Sequence, residues 1–300
     1  MGSAIFHYLG PSFAVLLFAR VPITGVAWLR IVSAALVFAA WRRPWTAFFS
    51  TDTRTRWLIV ALGAVFAAMN VCFYIAIDRL PLGTVAAIEF VGPIVLAVIG
   101  VRAWRNVAAL VLASAGVYLL MDVRIAGEAG GLVWAFLNAA LFTLYIVLAH
   151  RISRSDPATG PIDRLGAAML VASIAVTPIG LPEALPALTD PAALGPGLGI
   201  GLTSSVVPYA FDQMAMVRLP RSTYALFVAL LPAMAVIIGV IVLRQIPAWI
   251  EVGAVGLVIG GILVHRDDIT GGAEPTGPTP TGGRAWGGPV NRQHCPSGHC

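Results

Sequence analysis

Long, nearly uncharged apolar runs alternate with short polar connectors along the chain until about residue 265. The runs fall at roughly 3–19, 23–41, 57–77, 85–101, 107–121, 131–149, 165–181, 197–217, 223–243 and 249–265. Each is long enough, at ~1.5 Å per residue, to cross a hydrocarbon layer about 30 Å thick. Backbone polar groups in lipid must be satisfied internally, so such runs are helices or strands of a closed barrel. They are too long for barrel strands and lack the apolar/polar alternation. The pattern predicts an all-α integral membrane protein of about ten transmembrane helices. Connectors such as Val21-Pro22, Arg79-Leu80-Pro81-Leu82-Gly83 and Arg218-Leu219-Pro220-Arg221-Ser222 are short and turn-like.

The first run holds Pro11 in its middle and ends at Arg20. It reads as a short or truncated first helix rather than a signal peptide, because no basic segment precedes it and no A-x-A-like cleavage site follows. From about Asp267 the chain turns to Gly, Pro and Thr, a composition that predicts a disordered tail over 267–300.

Composition agrees with this picture: 58% of residues are hydrophobic and 11% charged, and the mean hydropathy is +0.87. All 19 basic residues are arginine, scattered singly or in pairs between apolar runs. That spacing is topological and excludes a nucleic-acid surface. With the N-terminus in the cytoplasm, the inside loops carry Arg42, Arg43, Arg54, Arg56, Arg102, Arg105, Arg151, Arg154, Arg164, Arg218 and Arg221. The outside loops then carry Arg20, Arg79, Arg124 and Arg244. The positive-inside rule therefore places both termini in the cytoplasm. Cys72, Cys295 and Cys300 form no disulfide framework. The terminal His294-Cys295-Pro296-Ser297-Gly298-His299-Cys300 matches no zinc spacing, and neither a metal nor a cofactor is expected.

The chain repeats itself. Arg79-Leu80-Pro81, Thr84, Ala86, Pro93 and Ile99-Gly100-Val101 recur as Arg218-Leu219-Pro220, Thr223, Ala225, Pro232 and Ile238-Gly239-Val240 at a constant offset of 139. The copies fall on the fourth and ninth spans, an odd step, so the fold expected is two inverted five-helix repeats. Their bounds are 1–125 and 126–266. Pro93 has no N–H and frees the carbonyl of Glu89, and Pro232 does the same for Val228. Both helices are therefore expected to be interrupted.

Few charges lie well within spans, and the main ones are Arg30, Glu89 and Asp212. Such groups face protein or water, not lipid. Glu89 suits a proton carrier, a contact to a substrate ammonium, or a structural partner for Arg30. Arg30 suits a carboxylate, whether on a substrate or on Glu89. Asn70 and Tyr74 share a helix face, as do Trp134, Asn138 and Tyr145. Ser205, Tyr209 and Asp212 form a third stripe beside Pro208, with Asp212 close enough in sequence to pair with Arg218. Such stripes are either interhelical glue or the walls of a shared polar cavity. The expected substrate or proton residues are Glu89, Arg30, Asn70, Tyr74, Tyr209 and Asn138, with helix interruptions at Pro93, Pro232 and Pro208.

Met69-Asn70, Phe73-Tyr74, Pro81-Leu82-Gly83 and Glu89-Phe90-x-Gly92-Pro93, with Pro208-Tyr209, Asp212, Ala215, Arg218-Leu219-Pro220, Thr223 and Pro232, carry a resemblance. From about Gly10 to Leu263 the chain resembles the EamA-type drug/metabolite transporters. The resemblance implies ten helices in two EamA repeats in a bacterial inner membrane. It implies proton-driven efflux of small molecules, amino acids or related metabolites, with drugs as the alternative cargo, by a monomer or homodimer. Amino-acid exporters of this family carry Glu before the proline equivalent to Pro232, where this chain has Leu231. Arg244-Gln245 replaces a Gly-Glu pair, and the stretch before Gly10 is short. These departures concentrate acidic chemistry on Glu89.

Two other classes fit less well. An intramembrane protease needs a Ser/His dyad, paired aspartates or HExxH within spans, whereas His7 and His150 fall at the ends of runs. A non-transporting scaffold gives no reason for a duplicated, interrupted helix.

Overall fold

The computed structural model describes residues 2–100, 104–155, 160–208 and 231–264. The chain divides into units Met1–Arg266 and Asp267–Cys300, and every described residue belongs to the first. The second copy of the repeat up to residue 230, including Tyr209, Asp212 and Arg218, and the 267–300 tail lie outside the described residues.

Every regular element among the described residues is helical. In order they are α1 (Gly2–Leu17), α2 (Ile23–Arg42), α3 (Pro44–Ser50), α4 (Thr53–Arg79), α5 (Leu82–Glu89), α6 (Val91–Gly100), α7 (Trp104–Ser155), α8 (Pro161–Thr189) and α9 (Pro191–Gly201). A π-helical turn (Leu202–Val206) continues α9, and α10 (Leu231–Leu243) and α11 (Trp249–Val264) follow. Helices α2, α4, α8 and the Glu128–Ile152 limb of α7 are each long and apolar enough to span a membrane. The protein is thus an all-α, multi-pass membrane protein, and its helices follow the ten apolar runs wherever those runs are described.

The differences from the expected runs have local causes. The fourth run is two helices, broken at Phe90. The fifth and sixth runs form one long element, kinked at Glu128 (φ −137°, ψ 39°). Helix α8 continues well past residue 181 despite Pro178, Pro182 and Pro186. Their i, i+4 spacing sets all three on one exposed stripe, and Val176, Gly180, Ala184 and Ala187 are buried on the other face. Pro182 and Pro186 each release the carbonyl of the preceding proline, so the missing bonds stack on the outer side and the inner ladder survives.

Helix α3 fills a connector that periodicity leaves as a loop. The Asp52 carboxylate accepts from the Arg54 and Thr55 N–H groups at 3.0 and 3.2 Å, capping α4. The Thr55 side chain together with these backbone bonds holds the Asp52 carboxyl below the usual carboxylate range. Arg56 donates to the carbonyls of Thr51 and Phe49 at 2.9 and 2.7 Å, closing the end of α3. Arg42 forks onto Asp163 at 2.8 and 2.9 Å, tying the end of α2 to the start of α8.

Helices α2 and α8 are also linked along their length. The Thr24 hydroxyl donates to the Glu183 carboxylate, and Trp28 Nε1 donates to Thr177 Oγ1 at 2.9 Å. Outward-facing Leu36, Ile174 and Ile241 form the apolar exterior that lipid covers. Exposed Trp41, Trp57, Trp104 and Trp249 stand at helix ends, as interfacial aromatics do.

Two glycines permit the approach on which the interior depends. A Cβ on Gly201 would meet Ser33 Oγ and come within 2.7 Å of the Arg30 carbonyl, and one on Gly10 would strike Ser204 Oγ. Gly201 lets the end of α9 lie on α2, and Gly10 lets α1 lie on the π turn. Gly201→Ala is predicted to destabilise by about 1–3 kcal/mol through overpacking. Gly199→Ala, whose Cβ would enter open space, leaves the thermal unfolding midpoint in detergent unchanged.

Candidate substrate site

Arg30 comes from the middle of α2 and is 8% exposed. An arginine at mid-membrane costs about 2.5–3.5 kcal/mol on insertion scales, and the surroundings offset that cost with acceptors. Its Nε donates to Ser205 Oγ at 3.4 Å, Nη1 to the Tyr74 hydroxyl at 3.5 Å, and Nη2 to the Ser204 carbonyl at 3.4 Å. The guanidinium also lies 5.5 Å from the centroid of the Tyr74 ring, within cation–π range. All three hydrogen bonds are at the long end of the normal range, so the guanidinium is surrounded but not saturated.

The Ser204 carbonyl cannot receive an α-helical hydrogen bond from Pro208. A proline has no N–H, and the carbonyl four residues earlier is that of Ser204. The π turn over Leu202–Val206 takes up the irregularity, with the Val207 N–H reaching back to the Leu202 carbonyl. Pro208 is therefore a sequence feature whose consequence is an acceptor aimed at Arg30.

Glu89 is the last residue of α5, where the helix breaks before Pro93. Phe90 is the C-cap (φ −74°, ψ −12°), and the ladder resumes with the Ile94 N–H on the Phe90 carbonyl at 3.4 Å. The half-buried carboxylate accepts from Asn138 Nδ2 of α7 at 3.3 Å. Asn138 is 0% exposed, and its Oδ1 is buried without a hydrogen-bond partner among the described residues. Arg30 lies within electrostatic reach of Glu89, but no ion pair joins them. Each has neutral partners instead, so the alternative in which Glu89 serves as the direct structural partner of Arg30 does not describe this arrangement.

The EamA-like transporter family profile matches residues 129–265. The chain is 31% identical over 255 residues to the threonine/homoserine exporter RhtA of Escherichia coli (strain K12), covering 83% of this chain and 84% of that protein. It is 30% identical over 254 residues to the RhtA of Salmonella typhimurium (strain LT2), with the same coverages. The chain belongs to the EamA family of transporters. A solved crystal structure at 17% identity superposes with a TM-score of 0.58, covering 87% of this chain and 94% of that one, a likeness of fold alone.

Within this EamA transporter, the predicted residues divide. Arg30 and Tyr74 meet on one side of the site, and Glu89 and Asn138 on the other. Asn70 is buried, but its Nδ2 donates to the Phe66 carbonyl of its own helix at 2.8 Å. Trp134 packs on the apolar core, and the Tyr145 ring packs with those of Phe66 and Phe142. Pro232 is the second residue of α10, and Val228, whose carbonyl it frees, lies outside the described residues, as does Tyr209.

Sequence reasoning missed Ser204 and the α1 side chains His7 and Tyr8. His7 stands in the second turn of α1, not at a helix end, with its ring edge-on to Tyr8 and within electrostatic reach of Arg30. Tyr8 lies within the same reach of Glu89. The GP pair Gly10-Pro11 was the available signal, since a glycine facing the π turn marks a close helix approach.

Pro208→Ala restores an N–H that recaptures the Ser204 carbonyl and withdraws it from Arg30. Transport in proteoliposomes is expected to slow by about tenfold, the worth of one ~1.5 kcal/mol hydrogen bond to a charge, without a fall in the thermal unfolding midpoint.

Proposed function

We propose that this chain is a secondary active exporter of amino acids, threonine- or homoserine-like, or related small metabolites, working by proton antiport. The observation that carries this reading is a buried site with a cation and an anion that do not neutralise one another. An amino acid carries the complementary pair of charges. Its carboxylate matches the unsaturated guanidinium of Arg30, and its ammonium matches Glu89. The similarity to threonine/homoserine exporters supports the same substrate class.

One carboxylate is enough to couple two fluxes. Glu89 holds either a proton or a substrate ammonium, and each displaces the other. A conformational change that exposes the site to opposite faces in turn then exchanges them. The break at Phe90 leaves this carboxylate at the junction of two helical segments.

The accompanying topology is two inverted repeats, 1–125 and 126–266, in a bacterial inner membrane with both termini cytoplasmic. The family match over 129–265 and the arginine distribution support it.

Glu89→Gln is expected to abolish proton-driven uptake of labelled threonine into inverted vesicles, or its proton-driven transport in proteoliposomes, while the protein remains inserted and folded. Export that retains its wild-type rate and pH dependence in this variant overturns the proton role. Arg30→Leu is expected to raise the KM for threonine by at least tenfold, through loss of a charge-assisted bidentate contact.

A further inference from the structure

Glu89 and Asn138 meet across the chain: the carboxylate belongs to the α5–α6 break in the first half, and the amide to α7 in the second. We propose that Asn138 is a positioning residue that reads the protonation state of Glu89 by rotating its side-chain amide, and so passes that state from one half to the other. The proposal rests on the reading of Glu89 as the proton-carrying group.

The chemistry of the two groups requires such a response. An ionised carboxylate only accepts hydrogen bonds, so the amide must present its N–H, as it does at 3.3 Å. A protonated carboxyl carries a donor, and the best answer from the amide is its carbonyl oxygen. A turn of about 180° at the end of the side chain exchanges the two while leaving the backbone in place. No covalent bond forms on Asn138, and the proton stays on Glu89 until it leaves the site.

The far end of the amide makes this rotation free. Asn138 Oδ1 is fully buried and has no hydrogen-bond partner among the described residues. A fixed donor there would lock the amide in one orientation. With none, either orientation leaves one polar end unsatisfied, and only Glu89 decides between them.

The neighbourhood turns the choice into movement. A Cβ on Gly92 would meet Thr143 Oγ1 and come within 3.0 Å of the Ala139 carbonyl, so the start of α6 lies directly on α7 beside Asn138. Ala135 and Ala139 flank the amide and are buried. A changed hydrogen bond therefore acts at a tight contact next to the helix break.

Among the described residues no other charged or titratable group can substitute. Arg30 on α2 and Tyr8 on α1 lie within electrostatic reach of Glu89, but neither donates to its carboxylate. His7 on α1 and Tyr74 on α4 face Arg30. Glu251 on α11 stands beside Thr84, towards the opposite end of α5. Arginine stays charged in every state, so Asn138 is the partner able to change its answer.

The test uses the full-length protein in proteoliposomes with labelled threonine and compares wild type, Asn138→Leu, Asn138→Ser and Glu89→Gln. Export is measured against pH, and the carboxyl C=O band against pH by difference infrared spectroscopy. The expected result is a flat profile for Glu89→Gln, and a midpoint moved by about one pH unit for both Asn138 variants, the worth of a lost hydrogen bond to a charge. The Glu89 carboxyl band should move to the frequency of an acid without a hydrogen bond. A purely structural loss would lower the rate equally at every pH and leave that band in place. If Glu89→Gln flattens the profile but both Asn138 variants keep the wild-type midpoint and band, the Asn138 role alone is overturned. If Glu89→Gln keeps the wild-type pH dependence, the reading of Glu89 falls and this proposal with it.

Discussion

A backbone carbonyl in hydrocarbon that loses its N–H must find another donor, and the candidate site is built on the consequences of that rule. Pro208 removes the donor that would serve Ser204, and Arg30 replaces it. Pro93 removes the donor that would serve the Glu89 carbonyl, and the helix breaks at Phe90 with the Glu89 side chain at the break. Helix α8 shows the contrasting solution. Its three prolines lie on an exposed stripe, and the helix runs on intact. Proline makes a functional irregularity only where the freed carbonyl faces the interior.

The same accounting explains how two charges persist in a membrane interior. Arg30 is not neutralised by Glu89 but is solvated by two oxygens of the π turn, a tyrosine hydroxyl and a ring face. Among the described residues Glu89 receives one neutral donor. Neutral partners lower the cost of burial without cancelling the charge, so both groups keep the capacity to bind a charged ligand. A direct ion pair would have been a more economical way to bury them, and a poorer binding site.

Much of this was legible in the sequence, and the reasons differ by feature. Spans follow from hydrophobic length, which responds to lipid alone, so the helices fall on the apolar runs. The importance of Arg30 and Glu89 follows from the cost of a charge at mid-membrane. The partners of those charges were harder to read. Ser204 contributes a backbone carbonyl, which no residue type announces, and the π turn depends on a proline four residues away. Asn138 and Tyr145 share a predicted stripe, yet one reaches Glu89 and the other joins an aromatic cluster. Periodicity assigns a face to a helix but does not say which neighbour covers each turn of it. His7 and Tyr8 went unseen because the first run looked like a shortened helix, and its contribution to the interior depends on Gly10 lying against the π turn.

The division of labour between the two halves of the chain follows from these details. Both charges, Arg30 and Glu89, stand before residue 126. The side chains and carbonyl of Asn138, Ser204 and Ser205, and the proline that frees that carbonyl, all stand after it. Tyr74 is the partner that travels with Arg30. Any displacement of one half against the other therefore strips both charges of neutral solvation at the same time. In the exchange proposed above, a ligand that supplies a carboxylate and an ammonium, or a proton that discharges Glu89, would lower the cost of that displacement, whereas an empty and charged site would resist it. Neither half holds both the charges and their solvation, so the resistance belongs to the contact between them. On the proposed exchange mechanism, two repeats with unequal chemistry thus have a physical reason to move when loaded and to stay still when empty.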